Sequence, residues 1–154
     1  MIDNAGYKIN YYFGWLKKLK AGTEVFKNTK VEVEDVDSVL GCSNLIKARV
    51  LKKIGYFKTV YELYFEETDF NVRAGRNGFR VVIVRGAKVW HKCASTMDRY
   101  IFRRAFLLLR NLFIFEVLNA RFKHLIVFIP YYFLAHVPYF LIRGTAYGLW
   151  NKRK

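Results

Sequence analysis

The sequence predicts an α/β fold followed by a helical, membrane-associated segment. Three observations predict it. Apolar residues at helical spacing alternate with short Val- and Ile-rich runs through the first 96 residues. Gly and Asn-Gly stops separate these runs. After Ser95 the chain becomes basic, aromatic and continuously helical in pattern. Two parts follow: 1–96, a mixed domain, and 97–154, a basic amphipathic helix and an apolar segment.

Tyr7 to Leu19 is aromatic and basic, part strand and part loop. Lys30 to Val39, KVEVEDVDSV, alternates Val with acidic or polar residues, a half-exposed strand or extended segment. Gly41-Cys42-Ser43-Asn44 is a turn holding two N-cap candidates, and a helix is expected over Leu45 to Ile54, closed by Gly55. Tyr56 to Leu63 connects it to a second helix, Phe65 to Arg76, stopped by Asn77-Gly78. Phe79 to Val84 is a buried strand, and Ala87 to His91 a short continuation beyond the Arg85-Gly86 break.

Arg99 to Lys123 is a long helical segment on which Arg99, Arg103, Arg110 and Arg121 fall within about 40° of one another. Leu125 to Ile142 holds 18 residues without Asp, Glu, Lys or Arg. Fully helical, it spans roughly 27 Å, enough for a bilayer. Pro130, His136 and Pro138 interrupt it, so a kinked helix or a shallow helical hairpin satisfies the pattern equally. The basic end, Asn151-Lys152-Arg153-Lys154, favours a cytoplasmic position. No signal peptide is expected, because Asp3, Lys8 and Gly14 break any apolar run near the start.

The net charge of +15, from 27 Lys+Arg against 12 Asp+Glu, calls for an anionic partner. The Phe, Tyr, Leu and Ile among the C-terminal charges favour a lipid surface over nucleic acid, and no nucleic-acid partner is expected. A composition of 53% hydrophobic and 18% aromatic residues excludes a disordered chain. Cys42 and Cys93 form no CxxC motif and suggest neither a disulfide framework nor a zinc site.

Candidate chemistry gathers at three places. Glu66, Glu67 and Asp69 form an acidic cluster. Such residues ordinarily complement a helix dipole, and Asp69 has Arg73 four residues on as a partner. His91 ends Val89-Trp90-His91 and is followed by Lys92-Cys93-Ala94-Ser95-Thr96. Gly41-Cys42-Ser43-Asn44 precedes a helix that ends in Ile54-Gly55-Tyr56-Phe57.

In this order and spacing the three places resemble the C-terminal half of the catalytic domain of family-2 glycosyltransferases, the rhamnosyltransferase-like members above all. The likeness runs from about Asn4-Ala5-Gly6 to Arg110-Asn111 and is strongest from Gly41 to His91. It implies a GT-A nucleotide-diphospho-sugar transferase fold, and inverting transfer of a sugar from a nucleotide-sugar donor to a glycan or lipid-linked acceptor. It casts Glu67 as the general base, with Glu66 or Asp69 sharing the role or organising the site. Gly41, Cys42, Ser43 and Asn44 then form the acceptor side. His91 becomes a ligand of a divalent metal, Mn²⁺ or Mg²⁺, or a contact to the diphosphate. The family's Asp-x-Asp motif is missing: Asp35-Val36-Asp37 lies just before the acceptor loop, in the wrong order. The expectation is a C-terminal portion, either the product of a split or truncated gene or a piece of a longer protein, with a partner chain as one possible source of the nucleotide-binding half, at the cytoplasmic face of the cell membrane. The alternative is a non-catalytic, membrane-associated remnant or subunit of such an enzyme.

Overall fold

The computed structural model describes residues 4–20, 32–90 and 100–142. It is a mixed α/β structure of small antiparallel sheets and helices. Two compact units share the chain, and neither is contiguous. Among the described residues the first comprises 4–10, 15–20, 32–60 and 66–90; the second comprises 11–14, 61–65 and 100–142. The expected division at residue 96 does not separate the two short excursions, 11–14 and 61–65, that join the second unit.

In the first unit, β1 (Tyr7–Asn10) and β2 (Trp15–Lys18) pair antiparallel, with Tyr7 opposite Lys18. A single bridge joins Tyr7 to Ser38. β3 (Val33–Asp35) pairs antiparallel with β4 (Val82–Val84), Val33 facing Val84. The acidic half of the period-two run is neutralised across this sheet. Arg80 grips Asp35 through two nitrogens at 2.9 and 2.7 Å, and Arg85 binds Glu34 and Glu32. Asp37 accepts from the Lys8 ammonium at 3.1 Å and from the Ile9 N–H at 2.9 Å. Asp35 and Asp37 are therefore sheet-edge ion-pair partners.

The core of this unit forms where α1 (Ala48–Ile54) packs on α2 (Glu66–Arg76). Val50, Phe70 and Ala74 are buried there, with Ile46, Leu51, Ile54, Phe79 and Val81 around them. α2 starts one residue later than its pattern predicts. α1 starts three residues late, because Asn44 and Lys47 are extended and no side chain caps the helix. Ser43 and Asn44 are thus not its caps. Leu45, expected on the apolar face, is 100% exposed. β4 is shorter than the run Phe79 to Val84, since only Val82–Val84 has a partner strand. Ala87 to Trp90 forms no strand, and His91 lies outside the described residues.

In the second unit, α3 (Ile101–Asn119) ends where Ala120 and Arg121 turn extended, and α4 (Phe122–Tyr131) follows. The expected arginine stripe is broken there: Arg121 belongs to the turn before α4, and Arg99 lies outside the described residues. α4 runs through a π-turn, Tyr132–His136, to Ile142. Leu112, Phe128 and Tyr132 form the core of this unit. The tip Tyr11–Gly14 packs on it. Gly14 has φ +64°, and a Cβ there would stand 2.7 Å from Phe128 Cε2 and 2.9 Å from Leu112 Cδ1, so only glycine fits.

Candidate functional site

α2 places its three carboxylates in different environments. Asp69 is 0% exposed. It accepts from Arg73 Nε at 2.7 Å and from Lys58 Nζ at 3.2 Å. Arg73 in turn donates to the carbonyl oxygens of Ile54 at 2.7 Å and Tyr56 at 2.8 Å. The pair thereby ties α2 to the turn after α1. Its carboxylate is occupied by two cations, and the role open to it is organising the site.

Glu67 is the reverse case. Its Oε2 is buried without a hydrogen-bond partner, as is Oε2 of Glu66. Burial first, and the neighbouring Glu66 second, raise the Glu67 carboxyl from an ordinary 4.5 to about 7, a backbone N–H offsetting part of the rise. A carboxyl near 7 exchanges its proton readily at neutral pH.

One residue of α2, Asn71, brings the loop Gly41–Asn44 to this carboxyl. Asn71, one helical turn after Glu67, donates from Nδ2 to Ser38 Oγ at 3.1 Å and to the Val39 carbonyl at 3.3 Å. Ser38 itself is anchored, its carbonyl accepting the Tyr7 N–H at 2.8 Å. The chain thus leaves β3 pinned along α2 and turns over its first residues. There Gly41 lies against Glu67: a Cβ at Gly41 would touch Glu67 Cβ at 3.5 Å and Cδ at 3.8 Å. Gly41, Cys42 and Ser43 form a single 3₁₀ turn and are exposed. Asn44 keeps a buried Nδ2 with no partner. The structure therefore brings Gly41 and Glu67 together, on the same unit as Cys42, Ser43, Asn44 and Glu66.

Sequence reasoning passed over Asn71, Ser38 and Lys58. Asn71 had a signal, a polar residue beside Phe70 and one turn from Ala74 on the packed side of α2. Lys58 had none, since it lies in a loop remote from Asp69 in sequence.

A divalent metal finds little here. Among the described residues no group of three His, Cys, Asp or Glu converges. Mg²⁺ and Mn²⁺ favour about six oxygen ligands, and the carboxylates of Glu66 and Glu67 alone fall short of that. The described residues do not by themselves fit the ion, and no chemical step is assigned to it.

No protein-family model, curated protein or solved structure matches the chain.

Proposed function

We propose that this chain is the acceptor-activating half of an inverting glycosyltransferase of the family-2, GT-A type, working at the cytoplasmic face of the cell membrane. The observation that carries the proposal is Glu67: a carboxyl without a hydrogen-bond partner on Oε2, held near neutrality, beneath an exposed glycine-led loop. General-base catalysis asks for such a group. Glu67 would take the proton from an acceptor hydroxyl as that oxygen attacks the anomeric carbon of a nucleotide sugar. The sugar–phosphate bond breaks on the opposite face, and the nucleoside diphosphate departs. Burial, with Glu66 beside it, keeps the base protonatable near pH 7, Asp69 and Arg73 fix the helix that presents it, and Gly41 to Asn44 shape the acceptor side. The acceptor is a glycan or a lipid-linked glycan.

The absence of a suitably placed Asp-x-Asp motif, with Asp35 and Asp37 engaged in ion pairs, leaves the nucleotide-binding half, with any Mn²⁺ or Mg²⁺, to a partner chain or to another part of a longer protein. The same absence favours the second reading, a non-catalytic membrane-associated subunit or remnant. Sugar transfer in membranes from source cells carrying either the wild-type or the Glu67→Gln gene separates the two. Loss of transfer with the chain still present supports the base; unchanged turnover overturns it.

A further inference from the structure

The helical stretch Phe122–Ile142 is long and apolar enough to cross a bilayer, yet its two sides differ. With successive residues about 100° apart, Leu125, Phe128 and Tyr132 share one side, packed on Leu112 and Phe113 of α3. The tip Tyr11–Gly14 covers the same region. Tyr11 and Tyr12 stack on and abut the His124 ring, and Phe13 meets Tyr131 at 5.1 Å. The polar atoms of this side are satisfied by protein: the Tyr132 hydroxyl donates to the Leu109 carbonyl at 3.2 Å, and His136 Nε2 lies 2.7 Å from the Phe13 carbonyl. The other side presents Phe122, Ile126, Ile129, Phe133, Leu134 and Leu141, all exposed, Leu134 by 80%. This arc covers roughly 140°, and Lys123 at the start of α4 is the one Lys, Arg, Asp or Glu within it.

A crossing helix would carry its protein-covered side into the hydrocarbon. That side includes the irregular backbone of Tyr11–Gly14 and a helix bearing Arg103, Arg110, the buried Asn111 and the unpartnered Glu116. Irregular backbone and ionisable side chains are costly there. An orientation in the membrane plane avoids both costs, with the covered side towards water and the apolar arc among the acyl chains. Arg121 and Lys123, both exposed at the start of α4, then reach anionic headgroups, as the chain's +15 charge favours.

We propose that α4 and its continuation to Ile142 attach this protein to one leaflet of an anionic bilayer without crossing it. The inference is independent of the proposed chemistry at Glu67. It is tested on the full chain carrying Cys93→Ser and Arg143→Cys, with the exposed Cys42 as reference thiol. The protein is added to preformed vesicles of phosphatidylcholine with phosphatidylglycerol, or of phosphatidylcholine alone. A membrane-impermeant maleimide is then added outside, and the labels per chain are counted by mass. Binding that weakens without phosphatidylglycerol, with both thiols labelled, is the expected result. Phe133→Glu with Leu134→Glu should lower partitioning at least about tenfold with the circular dichroism unchanged, since both side chains are exposed. Protection of the thiol at 143 means the helix crosses and overturns the proposal. So does binding that ignores the two glutamates, and so does absence of binding, whether or not sedimentation then shows a second copy covering the arc.

Discussion

Arg73 binds Asp69 through Nε at 2.7 Å and gives its terminal nitrogens to the carbonyl oxygens of Ile54 and Tyr56. One guanidinium therefore joins a buried carboxylate to the turn that ends α1. Breaking a buried pair from one side leaves the other charge uncompensated. Asp69→Asn should lower unfolding stability by about 3 kcal/mol in urea titrations. Arg73→Lys should also be destabilising, because a lysine lacks the planar fork that reaches three acceptors. Stability unchanged in both would show that the pair does not organise this turn.

The Glu67 carboxyl makes a pH prediction with a definite sign. Its folded pKa of about 7 lies above the ordinary 4.5, so the folded state holds the proton more tightly. Its contribution is fully present below 4.5, falls as pH rises to about 7, and is flat above. The total loss is on the order of 3 kcal/mol. Glu67→Gln should remove this slope. A base must be deprotonated to act, so transfer should rise with pH through about 7. Carbon-13 NMR titration of the glutamate carboxyls checks the premise; a Glu67 midpoint near 4.5 would sink it.

Glu116 on α3 is 0% exposed and neither carboxyl oxygen has a partner. Burial raises it from 4.5 to about 8. Stability from this group is complete below 4.5 and is lost as pH rises towards 8, again by a few kcal/mol, about 1.4 per unit. Glu116→Gln should therefore be nearly neutral in thermal unfolding at pH 5 and stabilising at pH 9. Equal effects at both pH values would show that the group does not charge on unfolding.

Asn111 holds the turn before α2. Its Nδ2 donates to the carbonyls of Tyr61 and Leu63, each at 2.6 Å, and of Tyr64 at 3.0 Å, so two hydrogens serve three acceptors. Within the turn Glu62, Tyr64 and Phe65 have φ of +60°, +69° and +70°, each a strained conformation for a residue with a side chain. Asn111→Ala should release the turn, costing about 2–4 kcal/mol in denaturant midpoint. Proteolysis between 61 and 65 should speed up accordingly; an unchanged cleavage rate would argue against the role.

Local signals served best where the punctuation was local. α2 came within one residue because an acidic first turn opens it and Asn77-Gly78 ends it. They served worst where packing overrode them. No Gly or Pro lies between Phe115 and His124, so the sequence runs α3 on through Ala120 and Arg121. The chain turns there instead, and Phe128 closes on Leu112. At α1 the Gly41–Asn44 turn resembled a cap, but the next residues are extended. Of the candidate site, the acidic cluster and the loop were both legible, while His91 lies outside the described residues.

By itself the sequence determined the mixed α/β composition, the acidic first turn, the basic charge and the apolar run before Arg143, because each is a property of neighbouring residues. Tertiary structure alone decided which carboxylate is free. Asp69 and Glu67 stand two residues apart on one helix, yet Lys58 and Arg73 close on the first, while Gly41 and a dry environment meet the second. It also decided that the apolar stretch has a protein side and an open side, since Leu112 and the tip Tyr11–Gly14 cover one of them. Burial and pairing depend on residues distant along the chain, and no local pattern encodes them.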